Sequence, residues 1–398
     1  MLEEVNGLME RMGFDALVVY GESTASCPEL AYFVRTAIPR GGIYLKKRGS
    51  EPLLVVSNLD IGCARKGMVS TVKTYGDYGL RELQRRYGPG RAFAQLLVSV
   101  LRDERVGGRV ALAGRFDAFQ AAFLIDYLRR MGFRVVGSPK PTLIDLCRRT
   151  KDQWEIDRIR DAGRKTVSVV RRFEKVLEEA NVVNDKVVFE GAPLTSGRLR
   201  RLVKVWCAEE GLSLVEGFII AVGPESADPH FVEEKDTPIT SGTPILFDIY
   251  PADTTGYRYD FTRTYCIGRP RHPLRKMFED ILDAQQTALD TIEENIACEV
   301  PFVKVCRLLK ARGWPTLLDR EVKDRGFTHG LGHGVGLTIG EEPYLTRFNR
   351  SKLVSGDVVT VEPGLYEPGF GGARVEDVVL VEKDRCIVMT EHRKQLEF

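Results

Sequence analysis

The sequence predicts two domains, an α/β domain over residues 1–145 and an α+β domain over residues 146–398. Three observations carry this. Helical and strand patterns alternate as far as residue 136. Gly137-Ser138-Pro139-Lys140-Pro141-Thr142 then has the composition of a turn-rich linker. Beyond it, helices come in a run and strands follow in hairpins, the order of elements expected of an α+β domain.

In chain order, residues 2–12 form a short amphipathic helix pattern ending at Gly13. Apolar runs at 16–20, 42–45, 53–57, 110–113 and 133–136 read as strands, with a helix over 117–130. After the linker, Ile156, Ile159, Ala162, Val167, Val170, Phe173 and Leu177 recur at helical spacing in a long helix starting near Lys151. Further helices are expected over 197–211, 273–297 and 301–312. Strands are expected over 218–222, 244–250, 257–267, 358–361 and 375–381. There is no short-period repeat.

Composition narrows the class of function. With 43% hydrophobic and 29% charged residues the chain reads as a soluble globular protein. Lys and Arg number 58 against 56 Asp and Glu, a balance that gives no electrostatic footprint for nucleic acid. No stretch approaches the ~20 apolar residues that a bilayer span needs. The first residues carry acidic groups and lack a basic region followed by an apolar core, so they do not read as a secretory signal. The eight cysteines are scattered without a CxxC pair, which excludes a zinc ribbon or a disulfide framework and points to the cytoplasm.

Three segments hold the residues with metal-binding chemistry. Asp248 and Asp260 lie on two strand-like runs separated by a turn. A three-residue turn over 253–255 would set them opposite each other, with Cβ atoms roughly 5 Å apart. Two carboxylates so placed repel by about 4 kcal/mol at ~4 Å in a surface-like dielectric, and a bound cation removes the repulsion. Two solvent-facing aspartates flanking a hairpin is the competing reading, and for this pair alone it is preferred. His329 and His333 follow at i, i+4, but Gly330, Gly332, Gly334 and Gly336 argue for extended or looped backbone rather than a helix. That leaves one imidazole as a candidate ligand, against a loop of hydrogen-bonded histidines. Glu362 ends one apolar run and Glu376 begins the next, where a carboxylate is rarely buried without a partner. Taken singly, each glutamate reads better as solvent-facing. Together, four carboxylates and one imidazole suit Mn, Co, Fe or Zn, and four negative charges balance two divalent ions.

The order Asp248, Asp260, His333, Glu362, Glu376 resembles the M24 "pita-bread" metallohydrolases, the family of prolidase, Xaa-Pro aminopeptidase, methionine aminopeptidase and creatinase. The resemblance covers residues 148 to the end and rests on DFTRT at 260–264, GHGVG at 332–336, VEPGLY at 361–366, ARVED at 373–377 and the helix opening at 148–162. The first domain is similar in pattern to the creatinase/prolidase N-terminal domain. The resemblance implies a pita-bread fold for the second domain and a two-metal centre held by those five residues. It implies that Glu362 handles the proton of a metal-bridging hydroxide. By the same resemblance His230 hydrogen-bonds the tetrahedral intermediate, and Arg374 stands beside the final glutamate. The implied reaction is hydrolysis of Xaa-Pro dipeptides or short Xaa-Pro peptides, by a homodimer.

The sequence departs from the family pattern at two places. The stretch between Asp248 and Asp260 is one residue longer than is common, a difference that a bulge would absorb. In LTIGEEP, Gly340 stands where prolidases and aminopeptidases P carry a histidine. Gly340 therefore favours a second reading, a relative with altered chemistry such as a creatinase-like C–N hydrolase or a lyase on a small non-peptide substrate. A non-catalytic peptide-binding module ranks third, because all five ligand residues are kept.

Overall fold

Alternating apolar strands and amphipathic helices organise the first of two units, Met1–Arg148, around one sheet. The computed structural model describes residues 4–319, 322–389 and 392–398. Six strands run in the spatial order Thr71–Thr74, Leu53–Val56, Gly42–Lys47, Ala16–Gly21, Arg109–Gly114 and Arg134–Val136. Their pairing mixes parallel and antiparallel neighbours. Val18, Ile43, Val55 and Val110 form the core of one face together with Leu97 and Leu101 of helix Pro89–Asp103. The helix expected over 2–12 spans Glu4–Met12, and residues 2 and 3 lie outside the described residues.

The second unit, Arg149–Phe398, opens with helix Gln153–Glu178. Asp152 caps it, accepting a hydrogen bond from Glu155 N while the Glu155 side chain accepts one from Asp152 N. This reciprocal pair satisfies two N–H groups that the first helical turn leaves free. The buried stripe of the helix covers the three-stranded antiparallel sheet Phe218–Val222, Ile245–Ile249, Phe261–Tyr265; Phe173 stacks on Phe247 with ring centroids 4.4 Å apart. A Cβ on Gly163 of that helix would fall 2.6 Å from the Tyr259 ring, so only glycine lets helix and loop approach there.

A five-stranded antiparallel sheet, in the order Ile339–Leu345, Gly332–Val335, Val358–Val361, Asp377–Val381 and Cys386–Val388, forms the other half of the unit. A short ribbon, Gly364–Glu367 with Gly371–Arg374, accompanies it. Helices Leu274–Leu289 and Glu299–Ala311 pack on these strands, burying Ile281, Phe302, Val305 and Leu309 against Val359, Val361, Val375 and Val379.

Three expected elements are shorter or divided. The helix expected over 273–297 stops at Leu289, and Asn295 beyond it takes φ 69°, which helical backbone excludes. The strand expected over 257–267 is regular only from Phe261 to Tyr265. The strand expected over 375–381 starts at Asp377, because Glu376 leaves the ladder to bridge Thr262 of the other sheet. Among the described residues no helix is long and apolar enough to cross a membrane.

Candidate metal centre

Asp248 sits in the middle strand of the three-stranded sheet, paired with Ile219 on one side and Thr262 on the other. The expected face-to-face pairing of Asp248 with Asp260 is therefore displaced by two residues. The cause is the turn. The Asp253 carboxylate accepts hydrogen bonds from Thr255 N and Oγ1 and from Tyr257 N, and Gly256 takes φ 90°. This centres the turn on Thr255, one residue later than expected, and Ala252 pairs with Arg258 in continuous register with Ile249 and Phe261. No bulge is needed. A shift of two keeps the side-chain face, since strand residues alternate, so Asp260 still lies on the same side as Asp248.

His333 lies in extended backbone, as its glycine neighbours require. A Cβ on Gly332 would fall 1.9 Å from Thr360 O and one on Gly334 2.4 Å from Glu342 O. Glycine thus lets the flanking strands close around the histidine. Thr360 Oγ1 accepts from His333 N at 3.1 Å and lies 3.3 Å from Glu362 Oε1, tying together the two strands that carry them. Glu376 Oε2 accepts from Thr262 Oγ1 at 2.7 Å.

The five residues converge. Ligand atoms of Asp260, His333 and Glu376 lie within 4.8 Å of one another. His333 Nε2 is 3.5 Å from Glu362 Oε1 and 3.7 Å from Asp260 Oδ2. Asp248 Oδ2 accepts from Arg374 Nη2 at 2.5 Å. All of these residues line one cavity of about 490 Å³, with His230 and His329 also in its wall. His230 is exposed, and its backbone N–H donates to Asp228 Oδ1.

Burial raises the Asp248, Asp260 and Glu376 carboxyls above their ordinary values, Asp260 and Glu376 strongly, and repulsion among these carboxylates and Glu362 adds to it. Arg374 opposes the rise in all three, yet one guanidinium faces four carboxylates. Asp248 Oδ1 is buried with no hydrogen-bond donor. A buried carboxylate oxygen without a donor, amid surplus negative charge, costs free energy that a cation recovers. The donor set therefore fits divalent metal. The imidazole fits as well. To offer Nε2 to a cation, neutral His333 carries its proton on Nδ1, where Gly334 O accepts it at 3.1 Å.

Arg374 lies two residues from Glu376 and lowers its carboxyl electrostatically, while its ion pairs run to Asp248 and, at 4.0 Å, to Glu362. Its Nη1 donates to Tyr366 Oη at 2.7 Å, and Tyr366 Oη donates to His329 Nε2 at 2.9 Å, while His329 Nδ1 donates to Gly330 O. His329 is thus held neutral in one tautomer, with its pKa lowered by burial. Sequence reading passed over Tyr366 and Thr262. Tyr366 falls inside VEPGLY and Thr262 inside DFTRT, so each was visible as a motif member but not as a partner.

Comparison with known proteins gives the family and the fold. The model of metallopeptidase family M24 matches residues 157–383, more than half of the 398-residue chain. A probable dipeptidase, PepE, from Mycobacterium tuberculosis is 31% identical over 244 residues, 60% of this chain and 58% of that protein. An Xaa-Pro dipeptidase from Pyrococcus furiosus is 30% identical over 242 residues, 58% of this chain and 66% of that one. The chain thus spans about three-fifths of the length of the curated relatives it matches. A prolidase structure from Pyrococcus horikoshii superposes over 99% of both chains with TM-score 0.76 at 21% identity. An X-Pro aminopeptidase from Thermotoga maritima gives TM-score 0.76 at 22% identity over 98% of this chain and 99% of that one. The fold is the pita-bread fold preceded by an α/β domain.

Proposed function

The chain belongs to metallopeptidase family M24, and on that footing we propose that it is a metal-dependent hydrolase cleaving the amide bond of Xaa-Pro dipeptides or short Xaa-Pro peptides. The observation that carries the reading is the convergence of Asp248, Asp260, His333, Glu362 and Glu376 on one cavity with surplus negative charge and an unsatisfied Asp248 oxygen. These five residues would hold two divalent ions, drawn from Mn, Co, Zn or Fe. When bound, the ions would polarise the scissile carbonyl and acidify a water.

The remaining work falls to side chains. Glu362 is the carboxylate of the set best placed to exchange a proton, since it keeps 17% side-chain exposure while Asp260 keeps 5%. In this reading Glu362 takes the proton of the attacking water at Oε1 or Oε2 and passes it to the leaving nitrogen. His230, exposed at the cavity wall, donates a hydrogen bond to the oxygen that gains charge. Arg374 fixes Asp248 and, through Tyr366, the neutral His329.

One observation favours the altered-chemistry reading. Gly340, φ 77°, has no side chain at the position where the resemblance expects a histidine. A single experiment separates the two. Protein loaded with Mn, Co or Zn is incubated with Xaa-Pro dipeptides and Xaa-Pro-Xaa tripeptides, with a chelated control. Metal-dependent release of the first residue supports the peptidase, and the dipeptide-to-tripeptide ratio divides dipeptidase from aminopeptidase. Metal binding with no peptide cleaved transfers the lead to a small non-peptide substrate.

A further inference from the structure

Strand Ile339–Leu345 is distorted where it passes the cavity. Against the strand Gly332–Val335, Gly332 faces Leu345, Gly334 faces Glu341 and Val335 faces Ile339. One residue step from Gly334 to Val335 thus opposes two steps from Glu341 to Ile339, which makes Gly340 the extra residue of a bulge. Its φ of 77° is the left-handed conformation that glycine takes without strain. Between Gly332 and Gly334 the mismatch is larger, two steps against four. Bulges re-aim the side chains that follow them. Here the side chain is Tyr344, which lines the cavity with Ile339 and keeps 38% exposure.

The distortion is anchored. Glu341 Oε2 is 2.9 Å from Lys151 Nζ, with side-chain exposures of 5% and 1%, and Glu341 Oε1 accepts from Thr338 N at 3.0 Å. Gly340 N lies 3.3 Å from His333 Nδ1 and donates to it only in the tautomer that carries no proton there. The Tyr344 hydroxyl reaches back to donate to Gly340 O. A Cβ at 340 would fall 3.3 Å from that hydroxyl, so a side chain there and the present Tyr344 conformation compete for space.

We propose that Tyr344 is a specificity-determining residue: its ring, pinned through its hydroxyl to the Gly340 bulge, forms with Ile339 an apolar wall that takes the ring or aliphatic side chain adjoining the bond to be cleaved. The proposal rests on the hydrolase reading above. It follows from the lining of the cavity, where the Tyr344–Ile339 pair supplies apolar surface from one strand beside the carboxylates and imidazoles, with Ile219, Pro229 and Tyr250 elsewhere in the wall. A flat aromatic face held by one hydrogen bond loses little freedom when a substrate packs on it.

The test uses the full chain as wild type, Tyr344→Phe and Tyr344→Ala, with Leu-Pro and Leu-Ser as probes. Turnover is measured on Mn-loaded protein, and Leu-Pro binding by calorimetric titration on metal-free protein. Tyr344→Ala is expected to raise KM for Leu-Pro about tenfold, with kcat within about threefold, because the wall binds ground and transition states alike. The titrated affinity for Leu-Pro should fall by a similar factor, the preference for Leu-Pro over Leu-Ser should shrink, and Tyr344→Phe, which keeps the ring and loses the bond that pins it, should fall between wild type and Tyr344→Ala. Unchanged KM and affinity in Tyr344→Ala, or an equal loss of kcat for both peptides at constant KM, overturns the wall and leaves the hydrolase reading standing. Leu-Pro binding that weakens in Tyr344→Ala while no peptide is cut supports the wall and sinks the hydrolase reading. A wild-type chain that neither binds nor cuts Leu-Pro overturns both.

Discussion

Thr262 and Arg263 are neighbours on one strand, as Glu376 and Asp377 are neighbours where the other sheet meets it, and the two pairs meet opposite fates. On one face Thr262 donates to Glu376 among carboxylates that exceed their cationic partners. On the other face Arg263, fully buried, pairs with Asp377 at 2.7 Å and donates to the backbone carbonyls of Thr262 and Glu376. Lys394 adds a second cation 2.7 Å from Asp377. The same period of two delivers both arrangements. One closes its charges within the protein and holds the strands together. The other leaves negative charge over, which a structural role does not require and a divalent cation does.

The largest effect should come from breaking the balanced face. Arg263→Met leaves Asp377 buried with less compensation and should cost about 3–5 kcal/mol in urea denaturation. On the opposite face, Asp260→Asn and Glu376→Gln in metal-free protein remove surplus charge and should leave stability equal to or above wild type. If these variants lose as much stability as Arg263→Met, the distinction between the faces fails. Thr262→Val takes away the hydroxyl that orients Glu376 and should weaken divalent-cation affinity about 10–100-fold, read by calorimetric titration with Mn.

The smallest effects are in pH dependence, with opposite signs in two clusters. Burial would raise the Glu174 carboxyl, but His392, Arg393 and the Tyr265 hydroxyl outweigh it and hold the group below its ordinary 4.5. A depressed folded pKa contributes stability that is present above 4.5 and lost as pH falls through the folded value. Glu174→Gln should therefore flatten the acid limb of the stability curve. Glu376 is raised, so the folded metal-free chain binds more protons than the unfolded one between the ordinary value of 4.5 and the folded value. Stability there falls as pH rises, and Glu376→Gln should lessen that fall, with the raised Asp248 and Asp260 carboxyls keeping the remainder.

Much of this was legible in the sequence, for identifiable reasons. The long helix from Gln153 shows its buried stripe at helical spacing. The candidate ligands show as carboxylates and an imidazole at the edges of apolar runs. Strand Thr71–Thr74 did not show, because Thr-Val-Lys-Thr carries a single apolar residue. The register of Asp248 was misread because the Asp253 side chain moves the turn by one residue, a hydrogen-bonding choice that apolar periodicity does not encode. The family resemblance put Arg374 beside Glu376 and was silent on its ion pair with Asp248, which is distant in sequence. The bulge at Gly340 was invisible for the same reason: it is a property of two strands.

The most direct measurement is divalent-cation binding to metal-free wild type, Asp260→Asn and Glu376→Gln, by calorimetric titration with Mn and by the shift in thermal unfolding. Wild type should bind and gain stability, about 4 kcal/mol at a thousandfold excess over Kd, while both variants lose the binding and the gain. Wild type that takes up no divalent cation, or variants that bind it as well as wild type, would contradict the assignment of these residues to a metal centre.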